Sequence, residues 1–129
     1  MIGKVIKSLL ESSAGLMALV PTAKIFPYVL NEDTALPAIV YTIDGIKPQY
    51  DKEDWCNDII TFSVTSLSSN YGTLQSVVAQ VRLALDFIKG TSDGITFGRI
   101  HIESLQEGYN MEQDVYANKL TFNVKIISY

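Results

Sequence analysis

Apolar side chains recur along this chain at two periods, and the switch between them marks its elements. Ile2, Val5, Ile6, Leu9 and Leu10 fall at i, i+3, i+4, i+7 and i+8, which places them on one face of a helix. Lys4, Lys7 and Glu11 lie elsewhere on that wheel. Ser12, Ser13 and Gly15 weaken the pattern, Leu16–Val20 predicts a short second turn, and Pro21 ends it. A second helix is better specified. Tyr71, Leu74, Val78, Val81, Leu85 and Ile88 step by 3, 4, 3, 4 and 3. Asn70 suits the N-cap, Gly90 suits a left-handed stop, and Lys89 in the last turn complements the helix dipole. The same stripe fits a coiled-coil seam. It covers about two and a half heptads, however, short of the ~3–4 of a sustained coiled coil. A helix lying on a sheet is the better reading.

The remaining apolar runs alternate. Lys24–Phe26 is a short strand limited by Pro27. Ala38–Asp44 sets Ile39, Tyr41 and Ile43 against Val40 and Thr42. Asp58–Leu67 sets Ile60, Phe62 and Val64 against Thr61, Ser63 and Thr65. Thr96–Ser104 reads as one strand, with Phe97, Arg99, His101 and Glu103 opposite Ile100 and Ile102. Lys119–Ile127 sets Leu120, Phe122, Val124 and Ile126 against Thr121, Asn123 and Lys125. Alternation of this kind means one buried and one wet face, which favours antiparallel pairing.

The predicted order is αβββαββ. This is an α+β fold of two layers: an antiparallel sheet of four to five strands with two helices on one face. Two long connections join neighbouring strands, Gly45–Asn57 and Leu105–Val115. Each reads as a long hairpin arm rather than a loose loop, and connections this long are usually functional when ordered.

Composition narrows the class. A length of 129 residues fits a single domain over 1–129. With 47% hydrophobic residues and a net charge of −4, the chain can fold on its own core. Eight Gly, four Pro and one Cys exclude collagen-like and disulfide-rich classes. No apolar run approaches a membrane span, and Glu11, Ser12 and Ser13 interrupt the apolar stretch that a signal peptide would need. The charged fraction of 19% is below the usual ~25%. Apolar surface covered by another subunit would account for that.

Candidate chemistry is sparse. His101 is the only histidine and Cys56 the only cysteine. One of each cannot make a Cys/His zinc site within a chain, and neither has the context of an activated nucleophile. Asp51, Glu53, Asp54 and Asp58 form an acidic stretch without the spacing of a calcium loop. Gly90-Thr91-Ser92-Asp93-Gly94 follows a helix rather than opening one, so it is a turn and not a phosphate loop. The ten basic residues are scattered, without the cluster of a nucleic-acid surface. No catalytic residue, metal ligand or cofactor is expected. More informative are Tyr50 and Trp55 among the charges of the first arm, and Tyr109, Met111 and Tyr116 in or beside the second. Aromatic residues and Met are enriched at protein interfaces. The expected interface is therefore Tyr50, Asp51, Glu53, Asp54, Trp55, Tyr109, Met111 and Tyr116.

Taken in order, the motifs carry a resemblance. They run Leu16-Met17-Ala18-Leu19-Val20, Lys24-Ile25-Phe26-Pro27, and Leu36-Pro37-Ala38-Ile39-Val40-Tyr41. The Ile59–Thr65 strand and the Tyr71–Ile88 helix with Val81-Arg82 and Leu85 follow. The chain closes with Asp114-Val115-Tyr116 and Leu120-Thr121-Phe122-Asn123-Val124. This succession resembles the tail completion, or tail terminator, proteins of long-tailed phages and prophages over nearly the whole chain. The acidic arm around Trp55-Cys56 departs from that pattern.

The resemblance implies a structural virion protein, not an enzyme. It implies a homo-oligomer, a hexameric ring that caps the tail tube and joins tail to head. The implied partners are the tail-tube protein and a head-completion or connector protein. DNA would pass through without specific binding, and no membrane is involved. The implied location is the virion tail, assembled in the host cytoplasm from a prophage gene. The alternatives are a small-ligand-binding or catalytic α+β domain acting as a dimer, and a cytoplasmic protein-interaction module.

Overall fold

The computed structural model describes residues 2–30, 34–50 and 56–128. These contain three α-helices: α1 (Ile2–Glu11), α2 (Ala14–Leu19) and α3 (Tyr71–Leu85). They also contain seven strands: β1 (Ile25–Pro27), β2 (Ala38–Tyr50), β3 (Cys56–Ser68), β4 (Gly90–Ser92), β5 (Ile95–Phe97), β6 (His101–Asn110) and β7 (Val115–Ser128). The sheet runs β1-β2-β3-β7-β5-β4, and β6 pairs with β7 beside β5.

The helices follow the sequence pattern with two changes. In α1, Ile2, Val5, Ile6 and Leu10 are buried, as their spacing requires. Ser13 is not a weak point in a helix. It caps α2, its hydroxyl accepting from the Leu16 N–H at 3.2 Å. Asn70 caps α3, its side-chain oxygen accepting from the Thr73 N–H at 3.0 Å. However, α3 stops at Leu85 rather than at Gly90. Tertiary hydrogen bonds replace its expected last turn. The Phe87 N–H donates to the Ile100 carbonyl, and the Ile100 N–H to the Ile88 carbonyl, each at 2.8 Å.

The sheet departs from four to five antiparallel strands under two helices. The predicted strand over Thr96–Ser104 breaks at Gly98–Ile100 into β5 and β6. The Gly90–Gly94 turn is itself a small hairpin, β4 with β5, turning at Asp93 (φ 51°) and Gly94 (φ 79°). β1 pairs with β2 in parallel, Ile25 opposite Ile39. Both long connections are hairpin arms. β2 and β3 remain paired out to Tyr50 opposite Cys56, and β6 and β7 out to Asn110 opposite Val115. A register shift at Asp44 in β2 and another at Glu103 in β6 add local bulges.

The core lies between α1, α3 and one face of the sheet. Ile60, Phe62 and Val64 of β3 meet Leu120, Phe122, Val124 and Ile126 of β7 there. Burying each such side chain stabilises by roughly 1.5–3 kcal/mol. Phe62 and Phe122 stack at 5.3 Å between ring centroids. The opposite face is polar. Ser63 donates to Asp44 and lies 3.3 Å from the Thr121 hydroxyl, Thr42 donates to Asp44 at 2.9 Å, and Thr61 donates to Asn123 at 2.7 Å.

Candidate functional site

The end of the β6–β7 hairpin carries the clearest surface feature. The turn is built locally. Asn110 accepts from the Glu112 and Gln113 N–H groups at 3.0 and 3.2 Å, and Asp114 takes a left-handed backbone (φ 52°). Asp114 also accepts from the Tyr109 hydroxyl at 2.5 Å. That bond fixes the ring that leads into the turn. Met111 at the tip is 83% exposed and Tyr109 is 49% exposed. The hairpin end also borders a hollow of about 720 Å³, lined by Leu67, Tyr109, Met111, Val115 and Ala117 among others.

Three tyrosines meet at the base of this turn. Tyr109 and Tyr116 lie 4.6 Å apart, and Tyr116 lies 5.3 Å from Tyr71 of α3. Glu107 joins the same cluster. It accepts from the Tyr71 hydroxyl at 3.0 Å, the Asn118 amide at 3.1 Å and the Gln75 amide at 3.4 Å. Hydrogen bonding to Glu107, then desolvation and the carboxylate charge, holds the Tyr71 hydroxyl above the usual tyrosine value. Asp114 acts on Tyr109 in the same order and direction. α3 and the hairpin are thereby tied together at their shared end.

Of the expected interface residues, the fold brings Tyr109 and Tyr116 into contact and leaves Met111 free at the tip. Tyr50 ends β2, where its backbone pairs with Cys56. Asp51, Glu53, Asp54 and Trp55 lie outside the described residues. His101 is exposed, its ring edge-on to Phe87 at 5.9 Å. Among the described residues, no three His, Cys, Asp or Glu side chains converge to hold a metal, and no helix is long and apolar enough to cross a membrane.

Sequence reasoning missed Tyr71, Glu107, Leu83 and Phe87. Tyr71 lies on the apolar stripe of α3, yet it is 44% exposed and serves the hairpin. Leu83 and Phe87 are 72% and 62% exposed. An apolar residue off the helix stripe was the available signal for Leu83.

The family model described as tail completion protein gp17 matches residues 4–127. The chain belongs to this family. No curated protein matches it in sequence. Among solved structures, a chain from the virion of a native gene transfer agent (GTA) particle shares the fold, with a TM-score of 0.80. The two are 15% identical, and the match covers 94% of this chain and 90% of that one. Membership of a tail completion family assigns this protein a structural part in tail assembly.

Proposed function

We propose that this tail completion protein forms a ring, a hexamer, that caps the tail tube and joins tail to head. The observation that carries this reading is the family match over residues 4–127. In this reading one domain spans 1–129, has no catalytic role, and contacts the tail-tube protein on one side of the ring and a head-completion or connector protein on the other. It works in the virion tail after assembly in the host cytoplasm, from a prophage gene.

Ring formation needs a heterologous contact, in which one patch meets a different patch on the neighbour. The two hairpin arms supply it, with Tyr50, Asp51, Glu53, Asp54 and Trp55 on one and Tyr109, Met111 and Tyr116 on the other. The exposure of Met111 and Tyr109 supports this. The net charge of −4 suits a conduit whose wall does not grip phosphates, with acidic groups toward the lumen. Genetic complementation tests the role. A phage or prophage lacking the gene should yield full heads and unjoined tails, and supplying the chain should restore joined particles. Joined particles without the chain would overturn the reading. Tight, salt-sensitive DNA binding by the purified ring would overturn the view of the lumen.

A further inference from the structure

We propose that the outer face of α3 around Leu83 and Phe87 docks an acidic, apolar segment of another virion protein. This rests on the tail-to-head reading but not on the ring, whose contact lies on the hairpin arms.

α3 buries Leu74, Val77, Val78, Val81 and Leu85 on its inner side. Leu83 lies off that stripe and is exposed, and Phe87 follows just past the end of the helix. Leu83 forms a ridge between two hollows. One, of about 520 Å³, runs from Ala79 and Arg82 to Phe87. The other, of about 350 Å³, reaches across to Leu9 of α1 and has Ala84 and Ile88 in its wall. A ridge flanked by grooves is the form that receives the side chains of a packing segment.

Phe87 is held in place by backbone bonds rather than by burial. Its N–H donates to the Ile100 carbonyl, and the Ile100 N–H donates to the Ile88 carbonyl. Two residues thus oppose one, the arrangement of a bulge, and the first of them takes a left-handed backbone (φ 64°). Gly fills that position without strain, and a bulky aromatic is an outlier there. The ring is exposed, with its edge-on contact to His101. Strained residues collect at functional sites, and exposed aromatics at protein contacts.

Charge identifies the partner. The chain stands at −4, yet cations border this face. The Arg82 side chain is 48% exposed, while that of Asp86, 3.8 Å away, is 11% exposed and accepts from the Ile102 N–H at 3.3 Å. The guanidinium is therefore the outward charge of the pair. Lys89 follows Ile88, and Arg99 and His101 flank the Ile100 to which Phe87 is bonded. All three are exposed, and among the described residues Lys89 and Arg99 form no ion pair. The other carboxylate within residues 82–101, Asp93, accepts from the Ser8 hydroxyl of α1 at 2.9 Å. A segment with Asp or Glu beside its apolar side chains complements these cations. A symmetric contact between two copies instead brings two such basic faces together.

The test supplies the full chain to a phage or prophage lacking the gene and counts joined particles, using wild type, Leu83→Lys and Leu83→Glu. Residue 83 is exposed, and circular dichroism confirms that each variant folds. Both variants interrupt the apolar ridge, but Lys suits an acidic partner and Glu repels it. Leu83→Glu should lower the count roughly 30-fold or more. Leu83→Lys should keep roughly ten times the count of Leu83→Glu. In a third variant, Leu83→p-benzoylphenylalanine, irradiation of assembled particles should link the chain to a peptide of another virion protein that carries Asp or Glu beside apolar residues, identified by mass spectrometry. Equal counts from the two charged variants overturn the proposal, as do a link to a second copy of this chain, a linked peptide without carboxylates, or no link. If wild type restores no joined particles, the tail-to-head reading falls and the docking face with it. If wild type and Leu83→Glu restore them equally, the docking face alone is wrong.

Discussion

Ser66 on β3 and Asn118 on β7 are direct cross-strand partners, each 1% exposed, and neither the Ser66 hydroxyl nor the Asn118 carbonyl oxygen has a hydrogen-bond partner among the described residues. Three residues back on β3, Ser63 faces the other way, donates to Asp44 and lies beside Thr121. The two serines thus have opposite energetics. An unsatisfied buried polar group costs about 1–3 kcal/mol, whereas a made bond contributes about 1 kcal/mol. Ser66→Ala should leave stability unchanged or raise it by about 1 kcal/mol. Ser63→Ala should lower it by about 1 kcal/mol or more. Urea unfolding of both variants measures the difference, and a Ser66→Ala loss as large as that of Ser63→Ala would reveal a partner for Ser66.

The stacked pair Phe62 and Phe122 sits at the centre of the core, both fully buried. Truncating a ring there removes its burial and leaves a cavity that the flanking strands cannot close. Phe122→Ala should cost about 3–5 kcal/mol, against a change within about 0.5 kcal/mol for Lys125→Ala on the wet face of the same strand. Thermal unfolding of the two variants checks this.

Local chemistry made much of the fold legible. The faces of α1, β3 and β7 and the Asn70 cap followed from spacing and capping preference alone, because each depends on residues close in sequence. Two of the failures depend on distant partners. The end of α3 is set by the bond from the Phe87 N–H to the Ile100 carbonyl and the bond from the Ile100 N–H to the Ile88 carbonyl, which no local pattern announces. The parallel β1–β2 pair depends on how the chain returns after Pro27. At the candidate site, the aromatic composition drew attention to Tyr109, Met111 and Tyr116. Glu107 looked like any charged strand residue; the approach of α3 makes it the acceptor for Tyr71 and Gln75, and the β6–β7 register makes it the acceptor for Asn118.

Phe87 holds a left-handed backbone (φ 64°) while its ring is 62% exposed. A bulky residue in that region costs of order 1–3 kcal/mol, and so exposed a ring recovers little of it. Asn tolerates the conformation better. Phe87→Asn should therefore raise stability by about 1 kcal/mol in chemical denaturation. Stability gained at the expense of assembly on the tail would mark the ring as a partner contact. A loss above about 1 kcal/mol would show that its edge-on contact with His101 matters more than the strain.

The hairpin should have its own dependence on pH. The Glu107 and Asp114 carboxylates accept from the Tyr71 and Tyr109 hydroxyls and raise both above the usual tyrosine value of 10.0. The folded chain therefore holds these protons more tightly than the unfolded chain. The stabilisation is fully present below the unfolded tyrosine value and is lost as pH rises through the folded values. In the alkaline range the repulsion between tyrosinate and carboxylate should loosen the hairpin from α3, while the Phe62–Phe122 core stays closed. Tyrosinate absorbance should then show three groups titrating above free tyrosine, these two and Tyr41, which burial and then the Glu11 charge raise. Glu107→Gln should bring Tyr71 down toward the ordinary value without moving Tyr109, and Asp114→Asn should do the converse. Asn suits the left-handed backbone at 114, so the turn survives that substitution. If both variants left the titration unchanged, the carboxylates would not hold these hydroxyls in solution.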